Sequence, residues 1–139
     1  MLSLHVAIAG ACLLTLSGCF DGLPQRVPVS GTVLIDGKPL TKGSIMVIPM
    51  GERPAGASIG PDGRFTLTTY EPNDGVITGT HYVTVFSTEH LNDRETRWLA
   101  PKKYGDPQTS GLSVTIDGPT DDLIINLTWD GKKPFVERM

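Results

Sequence analysis

The stretch Val29-Ser-Gly-Thr-Val-Leu-Ile-Asp-Gly-Lys-Pro-Leu40 decides the fold class, because it combines a strand pattern with a turn signal. From Val29 to Ile35 the side chains alternate between two faces. One face carries Val29, Gly31, Val33 and Ile35, and the other carries Ser30, Thr32 and Leu34. A period of two residues predicts a half-buried β-strand. Asp36-Gly37 then predicts a tight turn, because both residues tolerate positive φ.

Six further segments have the composition and length of strands. They are Ser44–Pro49, Ala57–Ile59, Arg64–Thr69, Thr80–Ser87, Gly111–Asp117 and Asp122–Trp129. In the segment after Pro61-Asp62-Gly63, the alternation predicts that Phe65 and Leu67 are buried. In Thr80–Ser87, one face carries His81, Val83 and Val85 and the other carries Tyr82, Thr84 and Phe86. Which of these two faces is buried stays open.

Seven short strands at close spacing, without an amphipathic helix of more than a turn or two, predict an all-β chain. We expect a seven-stranded Greek-key β-sandwich over residues 29–130. The segment from Thr88 to Ser110 is predicted to be a long irregular loop with a helical turn around Asn92 to Leu99. Residues 131–139 are predicted to form a flexible tail.

The amino-terminal residues have the pattern of an export signal. Val6 to Leu16 is 11 residues long and apolar apart from Gly10 and Thr15. A bilayer span needs about 20 residues, whereas the apolar region of a secretory signal has about 7–15. The segment therefore predicts a signal peptide, although residues 1–18 hold no Lys or Arg.

The next four residues, Leu16-Ser17-Gly18-Cys19, resemble a bacterial lipobox. The resemblance implies cleavage between Gly18 and Cys19, and a lipid on the Cys19 thiol that anchors the chain to a membrane. Residues 1–18 would then be the signal peptide and residues 19–28 a short tether, stiffened by Pro24 and Pro28.

Composition narrows the classes of function. The formal net charge of −3 is too small and too mixed in sign to favour nucleic acid as a partner. Cys12 would leave with the signal peptide and Cys19 would carry lipid. The remaining domain would therefore have no disulfide and no cysteine-based metal site.

Taken in order, several stretches resemble one family. Besides the opening stretch, they are Gly60-Pro-Asp-Gly-Arg-Phe-Thr-Leu-Thr-Thr69, Gly79-Thr-His-Tyr-Val-Thr-Val85 and Pro101-Lys-Lys-Tyr-Gly-Asp-Pro-Gln-Thr-Ser-Gly-Leu112. Together they are similar to the small lipoproteins of planctomycete-type bacteria that carry a carboxypeptidase regulatory-like, transthyretin-like domain. The resemblance implies a prealbumin-like sandwich at the cell envelope, in the periplasm or at the surface, and implies no activity.

Candidate catalytic and metal-binding residues are few. Outside the signal peptide the histidines are His81 and His90. Two scattered histidines make a poor zinc site, so we expect no metal, no cofactor and no catalytic residue. The alternative is a small envelope hydrolase that uses His81 or His90, the latter near Ser87 and Asp93.

Two aromatic residues of the long loop, Trp98 and Tyr104, flank Pro101. Such residues either form a recognition surface for an envelope protein or glycan, or fold back to cap the sandwich. We expect a non-catalytic structural or binding module. Self-association through an edge strand, as in a surface-layer component, is a further alternative.

Substitution of the lipobox cysteine tests the anchor. We expect Cys19→Ala to accumulate as an unprocessed or soluble protein, because the thiol that accepts the lipid is gone. Fractionation into membrane and soluble material measures this. A matured Cys19→Ala protein that still sediments with membranes would contradict the lipobox interpretation.

Overall fold

The computed structural model describes residues 22–139, so the predicted signal peptide and the lipidation site Cys19 lie outside the described residues. Within residues 22–139 the chain is all-β, with eleven strands and one 3₁₀ turn, η1 (Lys102–Gly105). The strands are β1 (Val29–Ile35), β2 (Lys38–Pro39), β3 (Ser44–Ile48), β4 (Ala55–Ser58), β5 (Arg64–Thr66), β6 (Gly79–Phe86), β7 (Thr88–Asn92), β8 (Glu95–Trp98), β9 (Leu112–Ile116), β10 (Thr120–Leu127) and β11 (Phe135–Arg138).

The strands form three sheets. In the first sheet β1 pairs in parallel with β10 on one side, and antiparallel with β2 and β5 on the other. The second sheet has the order β4-β3-β6-β9, and its neighbours are all antiparallel. The third sheet has the order β11-β8-β7.

The first two sheets bury their facing sides in one hydrophobic core, which is consistent with a β-sandwich. Val33 of β1 and Val47 of β3 are fully buried in it, as are Val83 of β6 and Leu67 beyond β5. The structure shows which face of β6 is buried, because the His81 ring is buried whereas Tyr82 is 53 % exposed. The face with His81, Val83 and Val85 is therefore the core face.

Each of the seven predicted strands has a counterpart, and β2, β7, β8 and β11 are additional. The prediction of an irregular loop from Thr88 to Ser110 is wrong in its first half, which forms the β7–β8 hairpin. The helical turn predicted around Asn92 to Leu99 is wrong for the same reason. Asn92 pairs with Glu95 across a two-residue turn, and the Asn92 side chain closes that turn by accepting a hydrogen bond from the backbone N–H of Arg94 at 2.9 Å.

The flexible tail predicted at residues 131–139 instead contains β11. This strand is antiparallel to β8, with Phe135 opposite Trp98 and Arg138 opposite Glu95. The last residue is held too, since the backbone N–H of Met139 donates to the carbonyl of Arg94. The tail is ordered by pairing with a strand that the sequence pattern did not reveal.

Gly31 allows β10 to lie against β1. A Cβ atom built on Gly31 would lie 2.0 Å from the carbonyl oxygen of Leu123, well inside van der Waals contact. The register between the two strands shifts at the same point, between Val29 and Gly31. The irregularity brings the β10 backbone over a position where only a hydrogen atom fits.

Substitution of this glycine tests how far the fold depends on the β1–β10 contact. We expect Gly31→Ala to lower the free energy of unfolding by about 3 kcal/mol or more, because the added methyl group forces two paired backbones apart. Denaturant unfolding followed by circular dichroism measures the loss. Gly118→Ala is the matched control, since a Cβ there has nothing within 4 Å. Equal stability of the two variants would contradict the proposed constraint.

Candidate functional site

The third sheet begins where β6 ends. Ser87 separates β6 from β7 and is buried, and its hydroxyl donates to the carbonyl of Lys42. The hairpin that follows has polar side chains on both faces. Cross-strand ion pairs join Arg97 to Glu89 at 3.2 Å and Arg138 to Glu95 at 2.6 Å. These pairs, together with the backbone ladder, hold β7, β8 and β11 side by side.

Four aromatic rings meet on this sheet and beside it. Phe86 contacts Trp98 edge-on at 5.3 Å between ring centroids, and Trp98 stacks on Phe135 at 6.3 Å. Phe135 in turn contacts Trp129 edge-on at 6.3 Å. We call Phe86, Trp98, Trp129 and Phe135 the aromatic cluster. Phe86 and Phe135 are 49 % and 42 % exposed, so the cluster presents apolar ring surface to solvent.

A lysine and a glutamate hold the cluster in place. The Lys102 ammonium lies 5.0 Å from the centre of the Trp98 ring and donates a hydrogen bond to Glu137. The indole N–H of Trp98 donates to the other carboxylate oxygen of Glu137 at 2.8 Å. The hydrogen bond from Lys102 is the main cause that lowers the pKa of Glu137, and the hydrogen bond from Trp98 lowers it further. Glu137 is therefore charged at neutral pH and fixes both donors.

Tyr104, the second aromatic residue predicted for a binding surface, is only 4 % exposed. Its hydroxyl accepts a hydrogen bond from the Thr128 N–H at 3.0 Å, and lies 3.3 Å from the Thr128 carbonyl oxygen, to which it donates. Tyr104 thus caps the core, and the structure does not bring it together with Trp98 on one exposed surface. Trp98 itself is partly exposed, as part of the aromatic cluster.

A cavity of about 320 Å³ lies beside the aromatic cluster. Trp129 and Phe135 line it, and four lysines surround it. We call it the lysine pocket. Its lining consists of Pro101, Lys102, Lys103, Trp129, Asp130, Lys132, Lys133 and Phe135.

The two histidines of the alternative hydrolase lie apart from this surface. The His81 ring is buried, and its Nε2 atom lies 2.8 Å from the carbonyl oxygen of Ile77. His90 is exposed on β7, with its Nδ1 atom 3.3 Å from the Thr96 hydroxyl. Among residues 22–139, no carboxylate forms a hydrogen bond with either ring, and no group of three or more His, Cys, Asp or Glu residues has the geometry to hold a metal ion.

The predicted tether is bound to the domain at its carboxyl-terminal end. Val27 forms an isolated antiparallel bridge with Val76. The Arg26 guanidinium lies 2.8 Å from the Asp74 carboxylate, and both side chains are nearly buried. The same guanidinium lies 5.0 Å from the centre of the Tyr70 ring. We call this arrangement of Arg26, Val27, Tyr70, Asp74 and Val76 the tether clamp.

Asp74 is the centre of the tether clamp. Its carboxylate accepts backbone N–H bonds from Thr69, Tyr70 and Glu71 at 2.7–3.1 Å. Burial by itself would raise the pKa of Asp74, but these three hydrogen bonds and the charge of Arg26 outweigh it and lower the pKa. The Asp74 carboxylate is therefore charged throughout the neutral range. It holds the backbone of residues 69–71 through hydrogen bonds and the tether through Arg26.

No protein-family model, curated protein or solved structure matches this chain. Among residues 22–139 there is no helix with the length and apolar character needed to cross a membrane.

The sequence pattern alone did not indicate most residues of this surface. The alternation places Phe86 only on one face of a strand, and Phe135, Lys132 and Lys133 lie in the segment predicted to be a flexible tail. A usable signal was present, since the pairs Lys102-Lys103 and Lys132-Lys133 each adjoin a proline. Two similar basic turns in an acidic chain indicate a local concentration of positive charge.

The tether clamp gives a prediction for stability against pH. The folded-state pKa of Asp74 is lowered from its ordinary value of 3.8. The stabilisation by its charged form is therefore complete above that value, and is lost as the pH falls through the lower folded-state pKa. At pH 7 we expect Asp74→Asn to lower the free energy of unfolding by about 2 kcal/mol, since a charged acceptor of several hydrogen bonds is removed.

Denaturant unfolding between pH 2 and pH 7 measures this effect. The difference between the native protein and Asp74→Asn should be constant above about pH 5 and should shrink below about pH 4. Asp121→Asn is the control, because Asp121 is exposed and its carboxylate forms no hydrogen bond or ion pair within residues 22–139. A difference that does not change with pH would rule out the charge of Asp74 as its cause.

Proposed function

We propose that this chain is a membrane-anchored envelope lipoprotein whose β-sandwich acts as a non-catalytic module for binding a protein or a glycan. The proposal includes the lipid on Cys19, a transthyretin-like Greek-key arrangement of the seven predicted strands, and membership of the planctomycete-type family described above. The family resemblance and the lipobox support the location. The structure supports the binding role through the aromatic cluster.

The observation that carries the binding role is the third sheet. Its strands add to the seven predicted strands, and they contribute little to the core, because β7 and β11 have no fully buried residue. What the sheet does carry is exposed aromatic surface at Phe135, next to Trp98 and Phe86. Exposed aromatic residues next to fixed charges are typical of binding surfaces.

The positions of the histidines favour a binding module over a hydrolase. His81 faces the core and is 5 % exposed, so a substrate has no access to its ring. His90 is exposed but forms no hydrogen bond to a carboxylate that would orient it as a general base. A nucleophile, a base and an orienting group in contact are what hydrolysis by this chemistry needs.

A pair of matched variants tests the binding surface. The full-length proteins Phe135→Ser and Tyr82→Ser are each used to capture partners from the envelope of the source cell. We expect Phe135→Ser to recover much less of the specific partner, because the exposed ring of the aromatic cluster is lost. Tyr82→Ser should recover the same amount as the native protein, because Tyr82 is exposed on the second sheet and outside the cluster.

Equal recovery by both variants would contradict the proposed surface. A screen of esters, peptides and ureides tests the alternative with the same protein. Turnover that disappears in His81→Ala or His90→Ala would overturn the non-catalytic role.

A further inference from the structure

The lysine pocket concentrates positive charge in an acidic chain. The sequence has six lysines, and four of them line this single cavity: Lys102, Lys103, Lys132 and Lys133. Two carboxylates lie against these lysines, Glu137 on Lys102 and Asp130 on Lys103. A surplus of two positive charges therefore remains in the pocket, although the chain as a whole has a net charge of −3. A local excess of this sign attracts anions.

The two remaining lysines supply that surplus. Lys132 and Lys133 are exposed, and their ammonium groups have no ion-pair partner within residues 22–139. A tight turn directly before them sets the position of their backbone. Asp130 and Gly131 both have positive φ, and the Lys132 N–H donates to the Trp129 carbonyl oxygen at 3.0 Å. Both lysines follow this reversal of the chain and line the pocket.

The wall of the pocket is aromatic. Trp129 and Phe135 meet at an interplanar angle of 81°, and Phe135 is 42 % exposed. An exposed ring packs against the C–H face of a sugar, while a lysine at its rim pairs with a carboxylate or phosphate on the same sugar. A volume of about 320 Å³ is at the lower end for ligand sites, and suits a small group or one unit of a polymer.

The place of the pocket in the fold favours a soluble or polymeric ligand over a lipid headgroup. The tether enters at the Val29 end of β1, whereas Trp129 lies beside Asp36, just beyond the Ile35 end. Seven residues of extended chain separate the two ends by roughly 20 Å. The pocket therefore lies at the end of β1 that is remote from the tether. If Cys19 is lipidated as proposed, the pocket also lies away from the membrane attachment.

We propose that the lysine pocket binds an anionic sugar unit, with Phe135 against the sugar ring and Lys132 and Lys133 on its carboxylate or phosphate. This site rests on the proposed binding role and names the class of ligand for it. The chemistry is shared by uronic acids and phosphorylated sugars of envelope polymers.

Calorimetric titration of the full-length protein in detergent tests the site, with trigalacturonate, neutral maltotriose and inorganic phosphate as probes. We expect trigalacturonate to bind and to change the tryptophan fluorescence, because Trp129 lines the pocket. Maltotriose and phosphate should each bind at least roughly tenfold more weakly, since each offers only one of the two interactions. No trigalacturonate binding, or equal binding of either other probe, would overturn the proposal.

Variants of equal charge change make the test specific. The double variant Lys132→Gln and Lys133→Gln should weaken trigalacturonate binding by roughly tenfold or more. The control double variant, Lys38→Gln and Lys42→Gln, changes the two lysines that do not line the pocket and should bind normally. Equal weakening in both would show general charge attraction and would overturn the site.

Adding phosphatidylglycerol to the detergent micelles separates a sugar from a headgroup. Trigalacturonate binding should be unchanged, and displacement by the lipid would overturn the proposal in favour of a headgroup site. Partner recovery that depends on Phe135 without any binding of trigalacturonate would refute this site alone and leave the proposed binding role intact. If trigalacturonate does not bind and partner recovery does not depend on Phe135, both the sugar site and the proposed binding role are refuted.

Discussion

The parallel pairing of β1 with β10 across Gly31 is the constraint on which the rest of the structure depends. Parallel neighbours cannot be joined by a hairpin, so all of the chain between these two strands is a single long connection. That connection has to form the second sheet and return. β10 pairs with one edge of β1, and β2 and β5 share the other edge. β1 therefore joins the amino-terminal and carboxyl-terminal parts of the domain in one sheet. The absence of a side chain at Gly31 is what permits this close approach.

The candidate surface follows from where β10 ends. Leu127 pairs with Ile35 at the end of β1, and the next residues are held by the turn after β1. The Asp36 carboxylate accepts a hydrogen bond from the Thr128 hydroxyl at 2.8 Å. Asp36 also forms the turn after β1, where its φ is 47°. The chain then reverses at Asp130-Gly131 and returns as β11 along β8. The third sheet is thus built from two segments far apart in sequence, the β7–β8 hairpin and β11. It can form because β10 ends at the same end of the sandwich as the hairpin.

This origin explains what the sequence predicted and what it did not. Val29–Ile35 and Gly79–Phe86 each have a buried face, so their alternation reports burial directly. Strands β7 and β11 have no buried face, and their stability comes from pairing, from ion pairs such as Arg138 to Glu95, and from ring contacts. Such contacts depend on the tertiary fold and leave no period in the sequence. The same limit applies to the site. Trp98 and Tyr104 are aromatic residues on either side of Pro101, and only the fold makes Trp98 a partly exposed residue of the aromatic cluster and Tyr104 a core cap.

The tether clamp relates the two ends of the domain. A flexible tether would leave a lipid-anchored module free to turn in any direction, and its binding surface would have no preferred position. Here the ion pair of Arg26 with Asp74 and the bridge of Val27 with Val76 bind the tether directly before β1. Only the residues before Arg26 are then available as a spacer, which on the proposed anchor is a short one. The tether is bound at one end of β1, and the aromatic cluster lies near the other end. For a chain anchored as proposed, the length of β1 would separate the cluster from the anchor.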